Sequence, residues 1–170
     1  MLDLKDESTR LNGVIQNLID ATQKEYEVTQ ARVNELSILL QDKEMRTDRR
    51  ENADFQIATD ERDVKNTIAT MLLKRINSLQ SELGEYNSTG FITVGSTVAL
   101  KVDSIDGKSP NIEQTDFIVK LVKHETSKAT EGLLAIDSKV GVAIIGRTTG
   151  DEVAVSAPIG NIVYKIEGVY

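Results

Sequence analysis

Asp48 and Glu51 stand three residues apart in the stretch Met45-Arg46-Thr47-Asp48-Arg49-Arg50-Glu51-Asn52-Ala53-Asp54-Phe55. On a helix start this spacing puts both carboxylates on one side. Two carboxylates so placed can act as a pair. The same spacing is also a capping box, with Asp48 as N-cap and Glu51 at N3. Capping is the commoner use, because every helix must satisfy its first N–H groups. The readings are compatible: a capped turn is also a rigid place to hold two carboxylates.

Composition removes other chemistries. The chain of 170 residues contains no Cys and a single His, His124, which excludes disulfides, thiolate metal sites and multi-histidine zinc sites. A net charge of −7 argues against indiscriminate duplex binding by phosphate neutralisation. Aromatic residues are 4% and Trp is absent, so no stacking platform for single strands is indicated. No apolar run approaches the roughly 18–20 residues of a membrane span, and the N-terminus is acidic where a signal peptide is basic. The expectation is a soluble, cytoplasmic protein without membrane contact.

Two heptad-like segments flank the Asp48 stretch. The first, capped at Ser8 or Thr9 and running to about Met45, has a seam of Leu11, Ile15, Leu18/Ile19, Thr22, Tyr26, Thr29, Val33, Leu36 and Leu40. Its polar middle predicts weak packing there. The second seam reads Ile57, Glu61, Val64, Ile68, Met71/Leu72, Ile76, Leu79 and Leu83, with Gly84 as a C′ residue. Joined by a short polar connection, the helices are expected to fold antiparallel within a monomer, with the tip near residues 45–52 and Leu36, Leu40, Ile57 and Val64 facing one another. Without a Pro or Gly at the connection, a parallel dimeric coil is the competing arrangement.

Asn87-Ser88-Thr89-Gly90 marks a boundary, so the domains are expected at 1–86 and 87–170. Beyond it the pattern is that of strands: Thr97–Val102, Asp116–Val122, Leu133–Ile136, Glu152–Ser156 and Ile162–Ile166, with a turn at Asp106-Gly107. The β-branched run Val140-Gly141-Val142-Ala143-Ile144-Ile145-Gly146 reads by itself as a sixth strand. The fold class is α+β: a long antiparallel helical hairpin, then an antiparallel-sheet domain.

Two separated stretches resemble the bacterial Gre transcript-cleavage factors. One is the Asp48–Phe55 tip. The other is Asp137-Ser138-Lys139-Val140-Gly141-Val142-Ala143-Ile144-Ile145-Gly146-Arg147, followed by Gly150-Asp151-Glu152-Val153, Pro158 and Gly160. The resemblance implies an FKBP-like C-terminal domain in which residues 140–145 form a short helix. It also implies a non-enzymatic elongation factor whose partner is RNA polymerase. The C-terminal domain would dock at the rim of the secondary channel through Asp137, Ser138, Lys139 and Gly141. The tip would reach the active centre, where Asp48 and Glu51 help hold a catalytic magnesium ion shared with the polymerase and not expected in the free protein. Arg49, Arg50, Asn52 and Phe55 would contact the polymerase or the nascent RNA 3′ end, and the polymerase would cleave its own backtracked transcript.

This chain departs from that pattern at Asp54, which replaces a Glu, and at four further places. Thr47 replaces a Gly, Arg49 a Leu, Lys139 a Pro and Val142 an Arg. Arg49 could pair with Asp48 or Glu51, contact phosphate, or stand solvated. A channel-binding modulator without cleavage activity is therefore the alternative reading. A prolyl isomerase or chaperone on the FKBP-like domain is a further one, though residues 87–170 offer only Phe91, Phe117, Tyr164 and Tyr170 for an aromatic pocket. A purely structural coiled coil would leave the C-terminal signature unexplained.

Overall fold

Asp3, rather than Ser8 or Thr9, opens the first helix in the computed structural model. The structure describes residues 3–46, 53–83, 90–110 and 115–170, the side chains of 43–46 excepted. Asp3 Oδ1 accepts from the N–H groups of Lys5 (2.9 Å) and Asp6 (3.4 Å), supplying the cap. Helix α1 then runs over Leu4–Arg46, 43 residues or roughly 65 Å at about 1.5 Å per residue. Ser8 lies inside this helix, buried, with its hydroxyl accepting from Thr97 Oγ1 at 3.1 Å. Ser8 is therefore a packing residue and not a cap. Helix α2 spans Ala53–Glu82. The expected Gly84 cap and residues 87–89 of the expected boundary lie outside the described residues.

The chain forms two compact units, one of residues 17–80 and one of residues 1–16 with 81–170. In the helical unit α1 and α2 are antiparallel: Leu36 and Leu40 cluster with Ala58 and Phe55, while Arg32 pairs with Glu61 further back. The seam of α1 follows the expected line through Ile19, Thr22, Thr29, Val33, Leu36 and Leu40, all buried. Its polar members are satisfied locally, as where the Thr22 hydroxyl donates to the Leu18 carbonyl at 2.8 Å.

The seam of α2 follows the expected line at Leu72, Ile76 and Leu79 and departs from it nearer the tip. Its buried residues are Ala58, Ala69, Leu72, Ile76 and Leu79, whereas Ile57 and Val64 are 64% and 58% exposed. Ile57 and Val64 therefore do not face Leu36 and Leu40. One position is about 100° of helix rotation, so moving the seam from Ile57 to Ala58 turns the large β-branched residues outward. Both lines have the same three-four spacing, and only packing distinguishes them.

In the other unit, five strands form one sheet in the order β3-β2-β1-β5-β4. They are β1 (Thr97–Ile105), β2 (Asp116–Val122), β3 (Leu133–Ala135), β4 (Glu152–Ala157) and β5 (Gly160–Val169). Three pairings are antiparallel as expected, and β2–β3 is parallel. The reason is the connection. Two 3₁₀ turns, His124–Thr126 and Ala129–Glu131, carry the chain back so that β3 starts alongside Lys120. The Asp106-Gly107 signal is a two-residue hairpin turn, both residues at positive φ (49° and 73°), closed by reciprocal bonds between Ile105 and Lys108. Asp106 also accepts from the Asn161 N–H at 2.7 Å, over the position where a Cβ on Gly160 would strike its carboxylate.

Residues 139–144 are helix α3 (Lys139–Ile144), so the unaided strand reading of this run fails and the helix implied by resemblance is found. Buried Ile144 packs with Ile92, Leu100, Leu121, Val153, Tyr164 and Ile166 in the core, where Phe117 and Tyr164 meet edge to face at 5.9 Å. The first turns of α1 belong to the same unit, with Leu11 and Ile15 fully buried.

Two buried ionisable residues also lie in this unit. Lys120 is fully buried on β2 and donates through Nζ to the Gly95 carbonyl at 2.6 Å. Burial lowers its pKa to about 8, partly offset by the Glu82 carboxylate. Glu82, the last residue of α2, is equally buried. Burial raises its pKa against hydrogen bonds from Thr126 and the Lys123 N–H, the latter at 3.3 Å.

Candidate functional site

The loop between β3 and α3 and the first turn of α3 hold every residue expected to dock a partner. Ser138 is the N-cap of α3: its Oγ accepts from the Gly141 N–H at 3.0 Å and donates to the Ala135 carbonyl at 2.7 Å. Two bonds from one side chain lock the loop to the end of β3. Gly141 completes the lock. A Cβ there would lie 2.2 Å from the Ala135 carbonyl oxygen and 2.8 Å from that of Ile136, so only glycine lets α3 approach this closely. Ser138 and Gly141 thus set the geometry of the loop, with Gly141 itself buried.

Asp137 is exposed on this fixed loop, with its Oδ2 3.0 Å from Nδ1 of His124. That imidazole comes from the 3₁₀ turn after β2, so the carboxylate is oriented by two elements remote in sequence. Lys139 behaves otherwise: its Nζ donates to the Ser156 carbonyl on β4 at 3.1 Å, tying the start of α3 to the β4–β5 hairpin. Val142 stands 62% exposed one turn along α3, with Ile145 exposed three residues further on the same side. The resulting surface exposes one oriented acid and two apolar side chains. Sequence reasoning missed His124 as part of it. Being the chain's sole histidine was its only mark, and nothing in the linear order linked it to Asp137.

At the other expected site, Asp48, Arg49, Arg50, Glu51 and Asn52, with Thr47, lie outside the described residues. Phe55 is described, half-buried against Leu36, Leu40 and Ala58. It anchors the first turn of α2 to α1, a packing role. Among the described residues no group of three or more His, Asp or Glu side chains is placed to hold a metal ion, and no helix is long and apolar enough to cross a membrane.

Residues 87–170 match the family model described as transcription elongation factor, GreA/GreB, C-terminal. The transcription elongation factor GreA of Solidesulfovibrio magneticus is 29% identical over 151 residues, covering 85% of each chain. That of Maridesulfovibrio salexigens is 33% identical over 110 residues, 58% of this chain and 61% of the relative. Among solved structures, the GreA factor homolog 1 protein of Thermus thermophilus is 19% identical and covers 89% of this chain and 94% of its own, with a TM-score of 0.38. The relationship therefore rests on the sequence of the sheet domain, which carries the Asp137–Arg147 motif, extended by the relatives into the helices. Residues 87–170 belong to the GreA/GreB C-terminal domain family of transcription elongation factors.

Proposed function

We propose that this protein binds RNA polymerase during elongation and stimulates the polymerase's own cleavage of backtracked transcripts, without being an enzyme itself. The observation that carries the reading is the β3–α3 loop, where Ser138 and Gly141 fix the backbone and His124 orients an exposed Asp137 on the family's motif. The docking surface presents that carboxylate to the rim of the secondary channel and exposes Val142 and Ile145. The helical hairpin passes along the channel and carries its tip to the active centre.

The tip's donor set suits magnesium, because Asp48 and Glu51 are hard oxygen ligands, and two carboxylates leave room for water and for the polymerase's own ligands. When bound there, the ion would supply a polarised water and neutralise charge on the scissile phosphate. The chain's own part is to deliver the carboxylates and hold them still. Phe55 secures the first turn of α2 on α1, just past the tip.

A second reading, occupancy of the channel without cleavage, is favoured by Arg49, which puts a cation between the two acids. The isomerase reading loses its support, since Phe117 and Tyr164 are spent on each other in the core. Transcript cleavage in stalled elongation complexes separates the first two. Cleavage that depends on this protein and on Asp48 supports stimulation, and tight binding with no cleavage supports the modulator.

A further inference from the structure

Large apolar side chains line one exposed side of the helical unit with the spacing of a packing seam. On α2, Ile57, Val64 and Met71 recur every seven residues, with Glu61 and half-buried Ile68 between them, so the line alternates four and three. All three are more than half exposed. On α1, exposed Val28 and Leu39 share a face with Arg32, lying four residues before it and seven after it. The Arg32 guanidinium reaches across to both oxygens of Glu61, at 2.9 and 3.1 Å. That fork places the two lines on the same side of the hairpin. The side is separate from the internal seam, which Leu36, Leu40, Ala58 and Leu72 fill.

We propose that this side is a contact between two copies of the chain, with α2 packed antiparallel against α2 of the second copy. The face is complementary to itself, which points to a second copy as its occupant. With Val64 set opposite Ile68 of the second copy, two-fold symmetry sets Ile68 opposite the other Val64. Met71 then covers Glu61, whose charge Arg32 already neutralises. The same register places Asp60 beside Lys74 of the second copy, twice, and brings the two Thr67 residues together at the axis. Asp60, Thr67 and Lys74 are exposed and recur every seven residues along the edge of the stripe away from α1, where such flanking charges select partner and register. Val28 is level with this axis to within about a residue, because Arg32 sits beside Glu61 in the antiparallel pair. Each hairpin alone buries one stripe per helix, whereas stacking two makes a four-helix layer that buries a second.

The inference concerns the free protein and does not depend on the polymerase reading. Because the chain has no cysteine, Thr67→Cys introduces a single thiol. The full chain should sediment at twice 18.7 kDa as its concentration is raised through the micromolar range. Thr67→Cys with a short bis-maleimide should give a covalent dimer on a denaturing gel. Val64→Arg should abolish both the doubled mass and the cross-link while leaving the helical circular dichroism unchanged. Leu73→Arg, nine residues from Val64 and so on the opposite side of α2, should leave both intact. A mass of 18.7 kDa throughout the range overturns the proposal. So does a dimer that survives Val64→Arg, or one in which Thr67→Cys gives no cross-link.

Discussion

His124 Nδ1 lies 3.0 Å from Asp137 Oδ2, joining the turn after β2 to the loop before α3. Both side chains are largely exposed, so the contact contributes little to stability. Its consequence is orientation, since it limits the rotamers of the one carboxylate on the candidate docking loop.

From this follows a graded effect on polymerase binding. Asp137→Ala should weaken affinity about tenfold or more, the scale of a lost charge-assisted bond. His124→Ala, which leaves the carboxylate but frees it, should weaken it only a few-fold. A direct titration against the polymerase measures both, with circular dichroism showing the helices unchanged. Equal affinity for Asp137→Ala and the parent would remove Asp137 from the interface.

The loop's backbone should be sensitive where its surface is not. Ser138→Ala should cost about 1 kcal/mol of unfolding free energy through loss of the α3 cap. Gly141→Ala should cost more, because the added methyl meets backbone carbonyl oxygen at 2.2 Å, which cannot move aside as a flexible side chain could. Val142→Ala, at an exposed position, should lie within about 0.5 kcal/mol of the parent. Denaturant titration of the three variants orders them.

Lys120 and Glu82 are buried ionisable groups, and the Glu82 carboxylate partly offsets the cost of the buried Lys120 ammonium. The pH dependence has a definite sign. Because burial holds Lys120 at about 8 in the folded protein against 10.5 ordinarily, the cost of its buried ammonium is full below pH 8. Between about 8 and 10.5 the unfolded chain binds the extra proton, so this contribution to stability rises with pH. Glu82 is raised by burial and works oppositely: its contribution is complete below the ordinary carboxylate range and is lost as pH climbs through its raised value. Unfolding free energies from pH 7 to 10 should therefore rise in the parent relative to Lys120→Met.

At the tip, amide and alanine variants separate charge from capping. Asp48→Asn keeps the capping oxygen but loses the charge that magnesium needs. If Asp48 serves chemistry, both Asp48→Asn and Asp48→Ala should lower stimulated cleavage by about 100-fold, the scale of one lost electrostatic contact to a transition state. Polymerase affinity should stay near the parent's. Loss in Asp48→Ala alone would identify a cap. Glu51→Gln should follow Asp48→Asn. Arg49→Leu should raise cleavage if the guanidinium masks the acids and lower it if it holds the transcript.

What the linear order determined was periodicity and punctuation. Three-four spacing marked α1 and its buried line from Leu11 to Leu40, and runs rich in β-branched residues marked β1, β2, β4 and β5, while Leu133–Ile136 stood out only as a short apolar run. The Asp106-Gly107 turn was legible for the same reason: few residue pairs accept two successive positive φ angles. Tertiary structure decided wherever two local patterns were equally good. The line through Ile57, Val64 and Met71 and the line through Ala58, Ala69, Leu72 and Ile76 both satisfy a heptad, and the choice fell to the alanines, whose small side chains let α1 approach. The run from Val140 to Ile145 is β-branched yet helical, because the Ser138 cap and the close seat for Gly141 outweigh propensity. Contacts such as that of His124 with Asp137, 13 positions apart, are fixed by how the turn after β2 meets the loop before α3. No periodicity encodes such contacts; they exist only once the sheet has formed.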